Sequence, residues 1–470
     1  MPQPRRSVPD DAALTNGFRA IRAQAGVSES FPADVTEAAG SAIADPSLDR
    51  ADHRDLELSS IDPEGSRDLD QAFALERSGS GYVFWYAIAD VSAFVTPAGP
   101  IDAEARRRGT TIYCPDERIP LHPAVLSEGT ASLLPDEDRP ALLWRIGLDQ
   151  AGDITEVHVE RALVRNRRAL SYAGVQSALD DGGTDPAMRL LEEIGELRID
   201  REVARGGVSL NLPSQEVVAL DGHYELRFEQ KLRSEDWNAE LSLCCGMAAA
   251  SLMLGAGFGL LRTMPPAPAE VIAGLRNSSI ALGVAWPEPM PYASWVRALD
   301  VTTAAGVALM EQAARTLRGA GYAAFDGPPP EVRTHAAVNA PYAHVTAPLR
   351  RLADRFANEC VLAAAAGTRP AAWVLEALPT IPATMAATAR VANTVNHNCI
   401  DLTEAAVLQH RIGDVFDAVV TGVGKQGSTV QIIEPAGVAS LDGVASAGQR
   451  VRAKLVAADI TTHRVEFARV

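Results

Sequence analysis

The segment from residue 59 to residue 73, SSIDPEGSRDLDQAF, places Asp62, Asp68 and Asp70 within nine positions of one another. Like charges a few ångströms apart repel, so a folded chain rarely gathers carboxylates without a cation to neutralise them. Oxygen ligands favour a hard divalent cation such as Mg²⁺ or Mn²⁺, whereas zinc prefers Cys and His, which are not close in this segment. The spacing is therefore compatible with a divalent-metal site, but on spacing alone a solvated acidic turn is the more common explanation.

The sequence after this turn favours an ordered site. Residues 82–94, YVFWYAIADVSAF, form an aromatic-rich pattern that is typical of a buried strand. Such a strand would hold the three aspartates at the edge of a sheet rather than in a mobile tail. Gln71 follows the last aspartate directly.

The bulk composition limits the classes of protein to consider. The chain has 470 residues, 47% of them hydrophobic, which predicts about two to four domains with substantial cores. The net charge of −17 argues against a non-specific nucleic-acid coat protein, but it allows an enzyme with a local basic channel. Two basic blocks, at 106–108 and 165–168, could line such a channel or be solvated faces.

Cysteine usage and the apolar segments predict a cytoplasmic protein that does not associate with a membrane. The five cysteines are odd in number and form no C-x-x-C pair, which fits buried thiols in a reducing compartment. The N-terminal residues lack the apolar core of a signal peptide. The apolar segment ELSLCCGMAAASLMLGAGFGLL is Gly-rich and begins with Glu, so we interpret it as a buried helix.

Hydrophobic periodicity divides the chain into regions. Residues 1–52 contain one clear helical pattern that ends at a glycine, and residues 55–170 alternate like strands, with a hairpin signal at GLDQAGDIT. The end of the chain reads as short strands between glycine turns, which predicts a five-stranded barrel of the OB type. Helical patterns occupy 186–204, 235–262, 267–282, 300–318 and 383–410.

Five segments, in this order, carry a resemblance to a known family. They are IDPEGSRDLDQAF, YAIADVSAFV, RGTTIYCPDERIPLHPAVLSEGTASLLPDEDRPAL, RGGVSLNLP and YAHVTAPLRRLADRF. Together they resemble the RNB catalytic domain of the ribonuclease II and ribonuclease R exoribonucleases. The resemblance implies an α+β fold with a mixed sheet surrounded by helices, followed by an S1-type RNA-binding barrel.

The domain boundaries that we expect follow from the patterns and the resemblance together. They are a helical N-terminal region (1–52), an RNB catalytic domain (53–375), a helical connection (376–411) and an S1-type OB-fold domain (412–470). The region ahead of the catalytic domain is too short for the paired cold-shock barrels of well-known members. The barrel offers Lys425, Gln426, Arg452 and Lys454, so we expect it to act through charge on the RNA backbone.

The resemblance assigns roles to the carboxylate segment. Asp62 and Asp68 match metal ligands of the family, and Asp70 matches the aspartate on which its catalysis most depends. Gln71 stands where the family usually has a fourth aspartate. An amide oxygen can still bind Mg²⁺, but it brings no charge, so we predict weaker metal affinity and a greater need for Mn²⁺.

The segment YAHVTAPLRRLADRF resembles the family element that carries a catalytic arginine. Pro348 is expected to start a helix with Arg350 in its first turn, where a guanidinium can stabilise the charge of the transition state. The alternative is that Arg350 or Arg351 is an ordinary surface partner of Asp354 at helical spacing. We expect Arg350 to be catalytic and Arg351 to contact RNA.

The remaining candidate residues are RNA contacts that the resemblance implies. Tyr113 matches an aromatic residue that stacks on the terminal base, and Phe228 is a second stacking candidate. Tyr172 and Glu240 match residues near the ribose, where a contact to the 2′-hydroxyl separates RNA from DNA. For each, the alternative is an ordinary packing role.

The resemblance implies a hydrolytic 3′-to-5′ exoribonuclease that degrades single-stranded RNA to nucleoside 5′-monophosphates with Mg²⁺, or Mn²⁺, as cofactor. We expect no small-molecule cofactor beyond the metal, and a monomer. The alternative is an RNA-binding protein with an RNB-like fold whose chemistry is weakened by Gln71.

Overall fold

A computed structural model of the chain describes residues 7–9, 12–210, 215–220, 223–229, 231–424, 427–432, 434–443 and 445–470. Lys425 and Gln426, which we expected to contact RNA, lie outside these residues. In chain order, the helices are α1 (Ala12–Gln24), α2 (Ala33–Gly40), α3 (Pro100–Arg108), α4 (Tyr172–Asp180), α5 (Pro186–Arg205), α6 (Arg233–Ala256), α7 (Ala269–Ala281), α8 (Tyr292–Arg297), α9 (Ala304–Ala314), α10 (Leu352–Ala365), α11 (Ala372–Ala377) and α12 (Ile381–Leu408).

The strands of the described residues form five sheets, one of which is the closed C-terminal barrel. In chain order, they are β1 (Ser7–Pro9), β2 (Ala51–Asp52), β3 (Leu58–Asp62), β4 (Gln71–Ser78), β5 (Gly81–Ala89), β6 (Ile112–Tyr113), β7 (Arg118–Ile119), β8 (Asp138–Leu148), β9 (Ile154–Ser171), β10 (Gln215–Leu220), β11 (His223–Phe228), β12 (Phe258–Thr263), β13 (Gly321–Asp326), β14 (Val415–Gly424), β15 (Gly427–Ile432), β16 (Gly437–Asp442), β17 (Arg450–Asp459) and β18 (Arg464–Arg469).

The centre of the molecule is a mixed six-stranded sheet in the order β2-β9-β3-β4-β5-β8, in which β8 also pairs with β9. Strand β9 runs parallel to β2 and β3 and antiparallel to β8. The β8–β9 hairpin confirms the turn that the GLDQAGDIT signal predicted, and Gly152 adopts the left-handed conformation that its turn requires (φ 84°).

Alternation along β5 gives the sheet two buried faces. Phe84, Tyr86 and Ile88 point into a large core that also contains residues of α6 and α10. Ala87 and Ala89 point to the opposite face, where the helix α2 and the segments around it cover the sheet. Because successive side chains of a strand face opposite ways, an apolar strand of this kind is buried on both sides.

Helix α6 is the core helix of this domain, as the sequence indicated, but it is shorter than predicted. It ends at Ala256, where Gly257 takes a left-handed conformation (φ 81°). The expected helix to residue 262 is therefore wrong, because Phe258–Thr263 form β12 and pair with β13. By length and composition α6 could cross a membrane, and half of its apolar window is buried in the protein.

Helix α12, the longest helix of the described residues, contacts both the N-terminal helix α1 and the C-terminal barrel. The helix α1, which the sequence predicted, packs on it through Phe18 and Ile21, which lie in one apolar cluster with Cys399 and Leu402. Near its end, Ala405 and Leu408 enter the core of the C-terminal barrel.

The C-terminal strands close into the five-stranded barrel that the sequence predicted, in the order β14-β15-β16-β18-β17. Its interior contains Val420, Val430, Leu455 and Phe467, all fully buried. Arg452 on its surface lies 3.5 Å from Asp417.

Candidate active site

Asp70 is the most buried of the three aspartates and lies just before β4, with 4% of its surface exposed. Its Oδ1 accepts a hydrogen bond from the Leu349 amide (2.7 Å), and its Oδ2 lies 3.4 Å from Nε of Arg350. Burial raises the pKa of Asp70 to about 8, although Arg350 and the Leu349 amide favour the charged form. The structure thus joins the two residues that we predicted to be catalytic.

Asp62 occupies the last position of β3, where its backbone pairs with Ser171 of β9. Burial raises the pKa of this carboxyl to about 7; Arg350 opposes this shift, and the negative charge of Asp68 adds to it. Asp62 and Asp68 are therefore partly buried, while residues 63–65 and Arg67 of the acidic turn between them are exposed.

Asp68 has a protein cation as its partner. Arg118, at the start of β7, bonds to the Asp68 carboxylate through one nitrogen and to Glu128 through the other. Strand β7 pairs with β6, so the β6–β7 hairpin, residues 112–119, carries this arginine to the acidic turn. Arg118 was not among the residues predicted from the sequence, although it lies within one of the segments that carry the resemblance.

Gln71 uses its amide oxygen within the protein. The hydroxyl of the buried Tyr86 donates to this oxygen, and Oγ of Ser242 on α6 lies 3.3 Å from it. The Tyr86 and Ser242 hydroxyls also hydrogen-bond to each other at 2.8 Å. The side chain that we predicted to be a fourth metal ligand is therefore bonded into the interface between β4, β5 and α6.

Arg350 precedes α10 instead of lying in its first turn, which corrects the expectation that Pro348 starts this helix. The residue before α10, Arg351, is extended (φ −134°, ψ 122°) and forms an antiparallel bridge with Thr110. The Arg350 carbonyl accepts a hydrogen bond from the Thr111 amide (3.0 Å), so sheet-like pairing delays the helix until Leu352.

Arg351 is the partner of the fully buried Asp354, and the arginine side chain itself is 24% exposed. Its Nη2 and Nε lie 2.8 and 3.0 Å from the two oxygens of a carboxylate that is fully buried. Asp354 also accepts a hydrogen bond from the Ala347 amide (2.7 Å). The structure therefore places Arg351 where it supports the loop that carries Arg350.

Tyr113 lies on the β6–β7 hairpin directly opposite Arg118, and 51% of its surface is exposed. Burial of its hydroxyl group raises its pKa, with Arg350 lowering it and Asp68 and Asp70 adding to the increase. An exposed aromatic ring thus stands next to the carboxylates, in a position where a base could stack on it.

Tyr172 is the first residue of α4 and lies near Asp62. Its hydroxyl accepts a hydrogen bond from Nδ2 of Asn238 on α6 (3.0 Å). Burial, with the charge of Asp62, raises the pKa of Tyr172 to about 12.

Glu240 and Phe228 lie in other surroundings. Glu240 is buried on α6, Oε2 has no hydrogen-bond partner in the described part of the chain, and burial beside Glu202 raises its pKa to about 7. Phe228 ends β11 and packs, partly buried, against the apolar cluster of α1 and α12.

The donor set of the site fits a hard divalent cation. Asp62 and Asp70 are carboxylates whose raised pKa values show that the protein supplies too little positive charge for their burial. A divalent cation would supply that charge. In the described part of the chain, no three His, Cys, Asp or Glu side chains are grouped as a ready-made metal site, and Asp68 is engaged by Arg118.

Two family models match this chain and together cover most of it. The RNB domain model matches residues 50–366, and the RNase II-type exonuclease C-terminal S1 domain model matches residues 414–470. The chain belongs to the RNB family. The expected resemblance is therefore confirmed, and the mixed sheet with its C-terminal barrel is the expected fold.

Individual relatives agree with this assignment. Ribonuclease R of Escherichia coli is 32% identical over 325 residues, which are 65% of this RNB protein and 39% of that enzyme. The RNase R structure of Mycoplasma genitalium with ribose-methylated single-stranded RNA superposes with a TM-score of 0.88 at 20% identity, covering 98% and 78% of the two chains. Yeast Ssd1, described as a pseudonuclease, superposes with a TM-score of 0.75 at 17% identity, covering 97% and 58%. This RNB chain spans about two fifths of the length of the Escherichia coli relative.

The RNB site depends on residues that spacing in the sequence did not single out. Arg118, Tyr86, Ser242 and Asn238 hold Asp68, Gln71 and Tyr172 in place. The available signal for Tyr86 was its position in the strand that follows the acidic turn. Asn238 and Ser242 flank the candidate residue Glu240 in the sequence, but no pattern indicated that their side chains reach Tyr172 and Gln71.

Proposed function

We propose that this RNB protein is a divalent-metal-dependent exoribonuclease that removes nucleoside 5′-monophosphates from the 3′ end of single-stranded RNA. The observation that carries the proposal is the contact of the buried Asp70 with Arg350 and the Leu349 amide. A buried acid next to a fixed guanidinium suits the hydrolysis of a phosphodiester, in which negative charge increases in the transition state.

Different side chains would contact the phosphate, the base and the ribose of the terminal nucleotide. Arg350, 45% exposed on its side chain, can reach a bound phosphate while Asp70 and the loop before α10 fix its direction. Tyr113 would stack on the terminal base, which suits an enzyme that accepts any base. Tyr172 would contact the ribose. We propose that Arg351 supports this loop, and that Phe228 contacts RNA less directly than Tyr113.

We propose that Asp62 and Asp70 hold Mg²⁺ or Mn²⁺, with Asp68 joining them when its ion pair with Arg118 opens. Bound metal would activate water and stabilise the leaving oxygen of the phosphodiester. Gln71 contributes through its bonds to Tyr86 and Ser242 instead of through a charge. We further propose that the protein works in the cytoplasm.

The test is the digestion of an oligoribonucleotide labelled at its 5′ end, with Mg²⁺ or Mn²⁺, by the wild type and by Asp70→Asn. The proposal expects a ladder that shortens from the 3′ end with mononucleotide release, and its loss in the variant with RNA still bound. RNA retention without cleavage by the wild type would support the second candidate, an RNA-binding protein without chemistry. The superposition with the pseudonuclease Ssd1 is the observation that keeps this candidate.

A further inference from the structure

Cys114 and Cys399 lie together in the folded chain, although 285 positions separate them in the sequence. Cys399 is fully buried on α12, and Cys114 packs against the same apolar cluster while remaining partly exposed. Strand β6, which ends one residue before Cys114, packs directly on α12. The two thiols interact as hydrogen-bonding partners.

A buried guanidinium borders the Cys114 thiol. Arg22 of α1 is 1% exposed and donates to Glu29 (2.7 Å) and to Asp116 in the hairpin turn (2.6 Å). The Cys114 amide closes the same turn by donating to the Glu117 carbonyl (3.0 Å). The Cys399 thiol and Arg22, which interact with the sulfur of Cys114, lower its pKa against the effect of burial.

The other thiols have different surroundings. Cys244, Cys245 and Cys360 are fully buried in the central core. Burial raises the pKa of Cys360 to about 12 and raises the pKa of the other two as well. Of the described cysteines, Cys114 therefore combines access to solvent, a neighbouring cation and a second thiol, which are the features of an oxidation-sensitive cysteine with a resolving partner.

We propose that Cys114 and Cys399 form a redox-active dithiol site, which a hydroperoxide converts into an intramolecular disulfide between the β6–β7 hairpin and α12. The Cys114 thiolate attacks the terminal peroxide oxygen and breaks the O–O bond, which leaves a sulfenic acid. Hydrogen peroxide releases hydroxide, which is protonated to water, and an organic hydroperoxide releases an alkoxide, which is protonated to the alcohol. The Cys399 sulfur then attacks the sulfenic sulfur, its proton leaves with the hydroxide as water, and the S–S bond forms. With hydrogen peroxide, two thiols and one peroxide give one disulfide and two water molecules.

The interface that the disulfide would bridge has room for a small shift of the hairpin. A cavity of about 100 Å³ lies there, lined by Ile112 and Ile119 of the hairpin and by Thr388 and Val391 of α12. The bond would tether the hairpin that carries Tyr113 and Arg118, but the proposal of the dithiol site does not depend on the proposed function.

The experiment treats the full-length reduced protein with hydrogen peroxide, blocks the remaining thiols and maps the peptides without reduction. The expected result is a linked pair of peptides containing Cys114 and Cys399 that dithiothreitol separates. In Cys399→Ala, the sulfenic acid on Cys114 should persist and be trapped by dimedone, a label that is lost in the wild type. Cys360→Ala is the matched control and should form the same linked pair as the wild type.

Two results would overturn the proposal: Cys114 oxidised without a link to Cys399, or Cys114 unreacted under conditions that oxidise it in the urea-unfolded chain. A second measurement needs no variant. Alkylation of Cys114 by iodoacetamide should reach half its maximal rate at a lower pH in the folded protein than in the unfolded one, and an equal or higher midpoint would also contradict the proposal.

Discussion

The Leu349 amide donates a hydrogen bond of 2.7 Å to Asp70 Oδ1, although the two residues are 279 positions apart in the sequence. The next residue, Arg350, is the guanidinium that faces the other oxygen of the same carboxylate. The acid and the arginine are therefore positioned by one backbone contact, and a change in the loop before α10 would displace both.

Arg350→Lys should lower the rate constant of cleavage by roughly a hundred- to a thousandfold, the typical effect of losing one preorganised donor to the transition state. Lysine keeps the charge but cannot present the planar guanidinium. Single-turnover digestion of a labelled oligoribonucleotide measures this rate apart from product release. Arg369→Lys, at a surface ion pair with Asp326, is the matched control and should be neutral; a similar loss there, or none at Arg350, would contradict the assignment.

Arg118→Gln should tighten the binding of Mn²⁺ by up to roughly fivefold, because it frees Asp68 from an ion pair of the kind that contributes about 0.2–1 kcal/mol. Titration of free Mn²⁺ by electron paramagnetic resonance measures this affinity without any turnover. Arg145→Gln removes an arginine that pairs with Glu156 elsewhere on the sheet and should change nothing. Unchanged or weaker binding in Arg118→Gln would show that Asp68 is not a ligand.

Gln71→Leu should lower the free energy of unfolding by about 0.5–1.5 kcal/mol, because it removes one hydrogen bond of the buried Tyr86 hydroxyl, which keeps Ser242 as a partner. Combining it with Tyr86→Phe should cost less than the sum of the two single changes, since both partners are then apolar. Urea denaturation of the four proteins gives the coupling free energy. A coupling near zero would mean that the Gln71 side chain is not held by this bond.

Tyr172→Ala should relax the preference for RNA over DNA by roughly two- to tenfold, the range expected when one hydrogen bond to the ribose is lost. Tyr172→Phe keeps the ring and should reproduce the effect if the hydroxyl makes the contact. The ratio of kcat/KM on matched RNA and DNA oligonucleotides measures the preference. Equal discrimination by all three proteins would rule out this contact.

The raised pKa of Glu404 predicts that the stability of the protein depends on pH. Glu404 is buried on α12, accepts a hydrogen bond from the Val438 amide of the barrel (3.0 Å), and burial raises its pKa to about 8. Between about pH 4.5 and 8, the folded state therefore binds a proton that the unfolded chain has released. The stabilisation that the Glu404 carboxyl contributes is fully present below about pH 4.5, falls as the pH rises, and is lost above about pH 8.

Glu404→Gln removes this titration. The melting temperature of the variant should therefore rise relative to that of the wild type as the pH is raised from 5 to 9. Differential scanning calorimetry across this range measures the change. The exposed Glu376 provides the control variant Glu376→Gln. A constant difference between Glu404→Gln and the wild type at every pH would contradict the raised pKa.

The sequence predicted those features that depend on local patterns. The alternation around Tyr86, the hairpin before β9 and the glycine turns of the barrel each reflect a period or a turn that neighbouring residues encode. The predicted start of α10 was wrong because Arg350 and Arg351 pair with Thr110 and Thr111, which are distant in the sequence, and the helix begins only after them. The end of α6 was wrong because β13, also distant, draws residues 258–263 into a sheet.

Local sequence patterns also limited how much of the candidate site could be predicted. Asp62, Asp68 and Asp70 were recognised because they are neighbours in the sequence. The partners that decide what each carboxylate or amide can do, such as Arg118 for Asp68 and Ser242 for Gln71, come from other elements. Spacing along one segment cannot show whether a carboxylate is free or already paired.

The helix α12 touches the β6–β7 hairpin along its course and the barrel at its end. Its 28 residues correspond to a rod of about 42 Å at the usual rise per residue. The helix therefore sets a fixed distance between the hairpin and the barrel, which an RNA strand bound to both of them would have to span. Inserting one helical turn into it would alter that reach by about 5.4 Å, and the length of the shortest RNA that spans hairpin and barrel should change with it.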